Sequence, residues 1–368
     1  MRTEYCFLFG DRNNLQTFLK LPQDNSRMIT EKELQQIKKE LDNCNDPLFI
    51  YDKDADGLSS FLLFYRYKKA GNGHYHQTKY VDESDLARVE EHRPDKIFVL
   101  DLPEMTQDFV DGAKVPIVWI DHHLTENIPK GVKYFNPRTY DKEDGSPTSS
   151  ICYEVIKQDE WLAVAGTIAD WHLTNVTEDF AKKHPDLLDP KIKDPAEALF
   201  NSEIGKIGNM FNFILKGKTS EVRKATKCLA EIKDPKEILE QTTEQGKYVY
   251  GRYVSVNNDF ESLYAQAKKQ VTKSKLIYFN YPSQEMSFSS EISNKLIYEY
   301  PKKIILIVRN KEHEMICSFR SGSVKVRDLL LKALIGVEGR GGGHPMACGA
   351  VIKSKDFDKF LEQFKALL

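Results

Sequence analysis

Three aspartates in PLFIYDKDADGLSSFLL, the stretch from Pro47 to Leu63, stand at every second position and are closed by a glycine: Asp52, Asp54, Asp56 and Gly57. Carboxylates at this density repel one another unless a cation lies among them. D-x-D-x-D-G also opens the calcium loop of an EF-hand. That loop needs a bidentate Glu at its twelfth position and a helix on each side. Counted from Asp52, the twelfth residue is Leu63. The acids follow Leu48, Phe49, Ile50 and Tyr51, an apolar run after Pro47 that reads as a buried strand. Both observations argue against calcium. The plain alternative for this segment alone is a solvated acidic turn before a helix.

Further acids fall in similar places. KIFVLDLP reads as a strand ending at Asp101, and PIVWIDHH as one ending at Asp121, His122 and His123. SSICYEVIKQDEWLAVAGTIAD reads as helical and closes at Asp170. The carboxyl ends of parallel strands share one edge, and open α/β sheets bind ligands there. A single acid at a strand end is commonly a helix N-cap. Three strand ends bearing acids together point instead to a shared site. Oxygen-rich sites with one imidazole suit Mn²⁺ or Mg²⁺ better than zinc or copper. Acids are present for two ions. Such a pair, ~3.5–4 Å apart, clamps the attacking and leaving oxygens of phosphoryl transfer and lowers the pKa of a shared water. Period-two spacing would let Asp52, Asp54 and Asp56 face one side of an extended chain.

The elements that must position these residues alternate. After the first strand, LSSFLLFYRYKKA is an amphipathic helix with Leu58, Phe61, Leu62 and Tyr65 on one face. Alternating strands and helices predict an α/β fold with a parallel sheet. Residues 1–45 read as an N-terminal helical extension, with Thr30 as N-cap of a charged helix. Residues 46–175 form the first α/β domain, and 176–246, charged and punctuated by proline, read as a helical connector. Residues 247–368 form a smaller second α/β domain, with an active-site cleft expected between the two. The 368 residues, 40% hydrophobic and 29% charged, suffice for two domains.

The net charge of −2 gives no whole-molecule basic field, so an anionic ligand must be held by local basic groups or metal. Six scattered cysteines with no C-x-x-C pair argue against a zinc ribbon or disulfide framework and fit a reducing compartment. The opening MRTEYCFLFGDRNN lacks a signal-peptide core, and no apolar run approaches a membrane span. A cytoplasmic protein is expected, with no membrane partner.

The second domain carries its own motif. GRGGGH, Gly339 to His344, places four glycines in five positions, so that backbone N–H groups could converge as an anion nest. Arg340 and His344 add donors for phosphate, beside Gly341, Gly342 and Gly343. In SFRS, Ser318 and Arg320 fall on one face of a strand, where Arg320 could grip a phosphate oxygen. The bland readings are a flexible hairpin turn and an exposed edge-strand arginine.

DKDADG, VLDLP, IDHH and AGTIAD resemble, in order, the four motifs of the DHH phosphoesterase superfamily. SFRS followed by GRGGGHPMACGA resembles its DHH-associated C-terminal domain. The D-x-D-x-D-G form is similar to the RecJ-like exonuclease branch, whereas nanoribonucleases and cyclic-dinucleotide phosphodiesterases more often open with a His in place of the first acid. The resemblance implies two Mn²⁺ ions, with Mg²⁺ as substitute. Asp52 and Asp54 would ligate one, Asp56, His122 and Asp170 the other, and Asp101 would bridge them. Asp121 would orient His122, His123 would sit by the scissile phosphate, and His172 would be a helix-end histidine outside the ligand set. The implied activity is hydrolysis of single-stranded RNA, DNA or short oligonucleotides to nucleoside monophosphates. Alternatives are a linear or cyclic dinucleotide phosphodiesterase, a phosphoadenosine-phosphate phosphatase, or a Cdc45-like replication scaffold without metals. A replication or repair protein partner is compatible with the enzyme reading.

Overall fold

In the computed structural model, residues 29–125 and 127–368 are described, so most of the expected N-terminal extension lies outside the described residues. The described chain divides within the helix Glu244–Lys268, residues 29–253 forming one unit and 254–368 the other.

In the first unit the apolar runs become strands buried on both faces. Strands β1 (Pro47–Asp52), β2 (Asn72–His76), β4 (Lys96–Leu100), β6 (Ile117–Ile120) and β7 (Val132–Phe135) pair in the order β2-β1-β4-β6-β7, every pair parallel. A short ribbon, β3 (Tyr80–Val81) with β5 (Glu104–Met105), lies outside this sheet. Successive side chains of a strand point to opposite faces. Phe49, Tyr51, Phe98, Leu100, Val118 and Ile120 thus enter one core with helices Ala55–Lys68, Thr148–Ile156 and Glu160–Ala169. Leu48, Ile50, Ile97, Val99, Ile117 and Trp119 enter the other with Phe109 and Val89. Both faces are covered, as parallel sheets require.

Thr30 caps the helix Glu31–Asp42 through a capping box with Glu33, and Ile37 and Leu41 bury that helix in the first core. The run through AGTIAD is two helices, not one. Lys157 and Asp159 adopt left-handed backbone angles that break it between Ile156 and Glu160. The segment expected as a connector is helical and shares the same core. Val176, Phe180, Leu199, Ile207, Phe211 and Leu229 pack with residues of the sheet and its helices. Gly208 permits a close approach to helix Glu160–Ala169, since a Cβ there would lie 2.6 Å from Ala165 O.

The second unit has a five-stranded mixed sheet, β11-β12-β10-β9-β8. Its strands are β8 (Leu276–Pro282), β9 (Ile304–Lys311), β10 (Glu314–Ser321), β11 (Gly339–His344) and β12 (Ala347–Lys353). β8 and β9 are parallel, and the other pairs are antiparallel. Cys317, Phe319, Cys348 and Ala350 face helices Val326–Ala333 and Phe357–Ala366. Ser318 and Arg320 therefore face the other way, toward Ser293 and Asn294 of helix Ser289–Glu299. The five cysteines among the described residues are free thiols. No helix among the described residues is long and apolar enough to cross a membrane.

Candidate metal centre

The D-x-D-x-D-G stretch turns a corner rather than continuing as an extended chain. Asp52 ends β1, Asp54 N-caps the next helix through Gly57 N–H at 2.9 Å, and Asp56 lies in that helix's first turn. A Cβ at Gly57 would lie 2.5 Å from Asp52 O, so the tight entry into the helix demands glycine. The expectation that all three acids share one side of an extended strand is thereby corrected. The helical turn carries Asp56 away from the other two.

The remaining acids reach the same carboxyl edge. Asp101 follows β4 with φ of 62°, a left-handed conformation unusual for an aspartate and of the sort that clusters at functional sites. Asp121, His122 and His123 follow β6, and Asp170 is the C-cap of helix Glu160–Ala169. Possible ligand atoms lie within 4.8 Å of one another in three groups: Asp52, Asp54 and Asp101; Asp56, His122 and Asp170; Asp101, His122 and His123. Asp101 belongs to the first and third, and His122 to the second and third. His122 Nε2 is 3.2 Å from Asp101 Oδ1 and 3.7 Å from Asp170 Oδ2.

Sequence reasoning gave Asp121 the task of orienting His122. The structure gives it His123. His123 Nδ1 lies 2.7 Å from Asp121 Oδ1, and His123 N–H donates to Asp121 Oδ2 at 3.0 Å. His122 is held instead by the carbonyl of Gly145, 3.1 Å from Nδ1. The reason lies in the chain's path after β6. Its next backbone N–H returns to the Asp121 carboxylate and swings the second imidazole over it. Asn136 and Arg138 fix that path, donating to His123 O at 2.8 Å and His122 O at 2.6 Å.

Asp56 has partners that spacing did not suggest. Its carboxylate accepts from the backbone N–H groups of Thr148 (2.8 Å) and Ser149 (2.9 Å), the first residues of a helix, and from Ser149 Oγ. Thr148 Oγ1 donates to Asp101 Oδ1 at 3.4 Å. The polar PTSS before an apolar run was the available signal. His172 Nδ1 bonds the Asp170 carbonyl at 2.7 Å and lies 3.3 Å from Asp170 Oδ2.

The electrostatics show an excess of negative charge. Burial, together with the charge of Asp170, pushes Asp54 and Asp56 up to about 6. Asp101 is held well above the usual carboxylate range by burial and by the charges of Asp56 and Asp54. Burial opposes the charged form of Asp170 and of His122, yet each is held ionised against the other. Asp170 is lowered by His122, and His122 is raised by Asp170 and Asp56. His123 is lowered by burial, which outweighs Asp121. Asp170 Oδ2, buried, accepts no hydrogen bond among the described residues. Crowded buried carboxylates in overlapping groups, the first with no imidazole, the second with His122 and the third with His122 and His123, are a donor set that fits hard divalent ions.

In the second unit the glycine run is not a nest. Gly339–His344 is β11, an edge strand paired residue by residue with β12, from Gly339↔Ile352 to His344↔Ala347. Successive N–H groups of a strand point in opposite directions, so they do not converge on one anion. Ser318 and Arg320 share a face as expected, but both are buried in the central strand, Arg320 only 2% exposed. Arg320 Nε donates to Asn294 Oδ1 at 2.8 Å, and Nη1 to Ser318 Oγ at 3.1 Å and Phe319 O at 2.8 Å. Arg340 and His344 stand along β11.

Comparison with known proteins accords with both units. Residues 48–188 match the model of the DHH family, N-terminal domain, and residues 274–368 that of the DHHA1 domain. No curated protein matches the chain. RecJ in complex with Mn²⁺ from Thermus thermophilus superposes with a TM-score of 0.67 at 17% identity, covering 94% of this chain and 56% of that one. An exonuclease RecJ bound to manganese gives 0.63 at 17% identity, covering 92% and 94%. The DHH domain of a member of a ribosomal-protein family gives 0.61 at 14% identity, covering 91% and 89%. These likenesses are of fold. The chain spans little more than half the length of the Thermus protein.

Proposed function

This chain belongs to the DHH superfamily of phosphoesterases and carries a C-terminal DHHA1 domain, and from that premise we infer that it hydrolyses the phosphodiester bonds of single-stranded RNA, DNA or short oligonucleotides with two divalent ions, Mn²⁺ or Mg²⁺. The observation that carries this reading is the meeting of Asp52, Asp54, Asp56, Asp101, Asp170 and His122 in overlapping ligand groups at one sheet edge.

Asp52 and Asp54 would hold one ion and Asp56, His122 and Asp170 the other, with Asp101, grouped with Asp52 and Asp54 and 3.2 Å from His122 Nε2, available to both. When bound, the ions supply Lewis-acid polarisation of the phosphate and activation of the attacking water. The chain's own groups do the rest. Gly145 O fixes the His122 ring, leaving Nε2 for the ion. Asp121 accepts the hydrogen bond donated by His123 Nδ1–H, so that Nε2 presents a lone pair that would accept a proton or a hydrogen bond beside the scissile phosphate. The helix N-terminus at Thr148 and Ser149 keeps Asp56 aligned as a ligand. In the DHHA1 domain Arg320, Arg340 and His344 would contribute the phosphate contacts. Arg320 arrives preoriented by Asn294 and Ser318.

The test is incubation of 5′-labelled RNA and DNA, from dinucleotides upward, with Mn²⁺, alongside a cyclic dinucleotide. Immediate release of the label as a mononucleotide marks 5′→3′ action, and a ladder marks 3′→5′ action. Absence of any Mn²⁺-dependent product sinks the reading.

A further inference from the structure

The metal centre already contains a cation of the chain's own. Lys79 lies between β2 and β3, and its side chain is 9% exposed, comparable to 5% for Asp52 and 8% for Asp54. Its Nζ contacts Asp52 Oδ2 and lies 3.4 Å from Asp54 Oδ2. An ammonium is buried at tolerable cost only when paired. Here its partners belong to the ligand group that also contains Asp101.

The backbone around Lys79 is fixed on both sides. His76, in register with Asp52, has Nε2 2.9 Å from the Asp85 carboxylate and Nδ1 2.9 Å from Thr78 O, both acceptors. Thr78 Oγ1 donates to Tyr80 O at 3.0 Å. Tyr80 and Val81 then pair with Glu104 and Met105, just beyond Asp101. The segment is thus tied to the strand ends that present Asp52 and Asp101.

Charge decides what the amine is for. The candidate ligands include five carboxylates, Asp52, Asp54, Asp56, Asp101 and Asp170. Two divalent ions supply four positive charges, and Lys79 supplies the fifth. Yet Lys79 and an ion cannot both contact the same Asp52 and Asp54 oxygens. We propose that Lys79 is a resident counter-cation. It holds the Asp52 and Asp54 carboxylates together until a divalent ion takes them, then yields those oxygens while remaining the balancing charge of the loaded centre. The proposal rests on the two-ion reading above. It implies that the ion at Asp52, Asp54 and Asp101 binds against competition from within the chain, whereas the ion at Asp56, His122 and Asp170 does not.

The test is calorimetric titration of Mn²⁺ into metal-free wild type and Lys79→Met. In the variant one of the two sites tightens by about tenfold or more and the other is unchanged. Its metal-free melting temperature falls, and the deficit shrinks on saturation with Mn²⁺. Weaker Mn²⁺ binding, or identical isotherms with identical metal-free melting, overturns the proposal while leaving the two-ion reading intact. Binding by neither protein sinks that reading and the proposal with it. A second measurement needs no variant. Acylation of wild-type Lys79 by a succinimidyl acetate, read by peptide mass spectrometry, accelerates when Mn²⁺ is added. Unchanged or slower labelling refutes displacement even if Lys79→Met fails to fold.

Discussion

The carboxyl edge of the first sheet and the buried polar face of the second hold their charged side chains in opposite ways. At the first, acids sit where strands stop and helices start: Asp52, Asp101 and Asp121 at strand ends, Asp54 at an N-cap, Asp170 at a C-cap. Their carboxylates are crowded, and burial with mutual repulsion lifts Asp54, Asp56 and Asp101. At the second, Ser318 and Arg320 lie within a central strand, and their hydrogen bonds come from neighbours in the same unit. At the first, Lys79 offsets only part of the repulsion, whereas at the second Arg320 Nε and Nη1 are hydrogen-bonded within the unit. Sites built from element ends can therefore trade stability for chemistry. A site built within a strand must serve both.

The sharpest break of this contrast is Asp101→Asn. Loss of the bridging carboxylate is expected to reduce Mn²⁺-dependent hydrolysis by more than the roughly 10–100-fold typical of groups that support metal ligands. The sign for stability is opposite. A carboxyl whose folded-state pKa is raised costs stability at pH above its unfolded value, because the unfolded chain releases the proton more readily. The metal-free variant is thus expected to melt higher than wild type near neutral pH. Thermal melts with and without Mn²⁺ check it, and a metal-free variant that melts lower defeats the claim of stored repulsion.

Asp121→Asn comes next. Its amide cannot fix His123 in the same tautomer, so hydrolysis should fall by about 10–100-fold. His122, bonded to Gly145 O rather than Asp121, should retain its ion. Calorimetry separates the two: lost Mn²⁺ affinity would restore Asp121 to the role the sequence first suggested. In the second unit Arg320→Met should raise KM by about tenfold, the worth of one hydrogen bond to a charged group, and should also lower the melting temperature by stranding Asn294 and Ser318. The same substitution thus costs function and fold together, unlike Asp101→Asn.

Stability against pH offers a smaller effect. Burial opposes protonation of His76, but the hydrogen bond and charge of Asp85, the carbonyl of Thr78 and the charge of Asp82 outweigh it, and the pKa is raised. A raised histidine pKa stabilises fully below the unfolded value, ~6.5, and the gain disappears as pH rises through the folded value. The melting difference between wild type and Asp85→Asn should therefore be largest in mild acid and shrink with increasing pH. A difference constant with pH would show that the pair acts without its charge.

The contrast between the units also explains what the sequence disclosed. Strand ends of a parallel sheet share an edge whatever the loops do, so Asp52, Asp101 and His122 could be brought together from apolar runs alone. Lys79 could not, because HYHQTKY carries no apolar alternation and its burial depends on His76, Asp85 and the β3–β5 ribbon. The helices from Asn175 to Glu231 looked like a connector because Asn175–Lys183 and Thr219–Glu231 carry many charges, while the helix Glu203–Ile214 between them is buried over most of its length in the first core. The glycine run misled for a related reason. Composition favours a turn, but the partner ACGAVIK fixes it as a strand.

That strand supplies the finest test. A Cβ at Gly341 would lie 2.9 Å from Gly349 O and 3.0 Å from Leu330 Cδ2, whereas one at Gly342 meets nothing within 4 Å. If the run is glycine only for packing, Gly341→Ala destabilises the unit, and Gly342→Ala is neutral or gains up to about 1 kcal/mol from a stiffer unfolded chain. If a phosphate approaches the backbone at β11, Gly342→Ala keeps its melting temperature while KM rises, because the methyl group occupies the space the phosphate needs. Stability and KM of this pair therefore separate packing from recognition. An unchanged KM for Gly342→Ala would leave phosphate contact to Arg320, Arg340 and His344, and would place the second unit's recognition in its side chains.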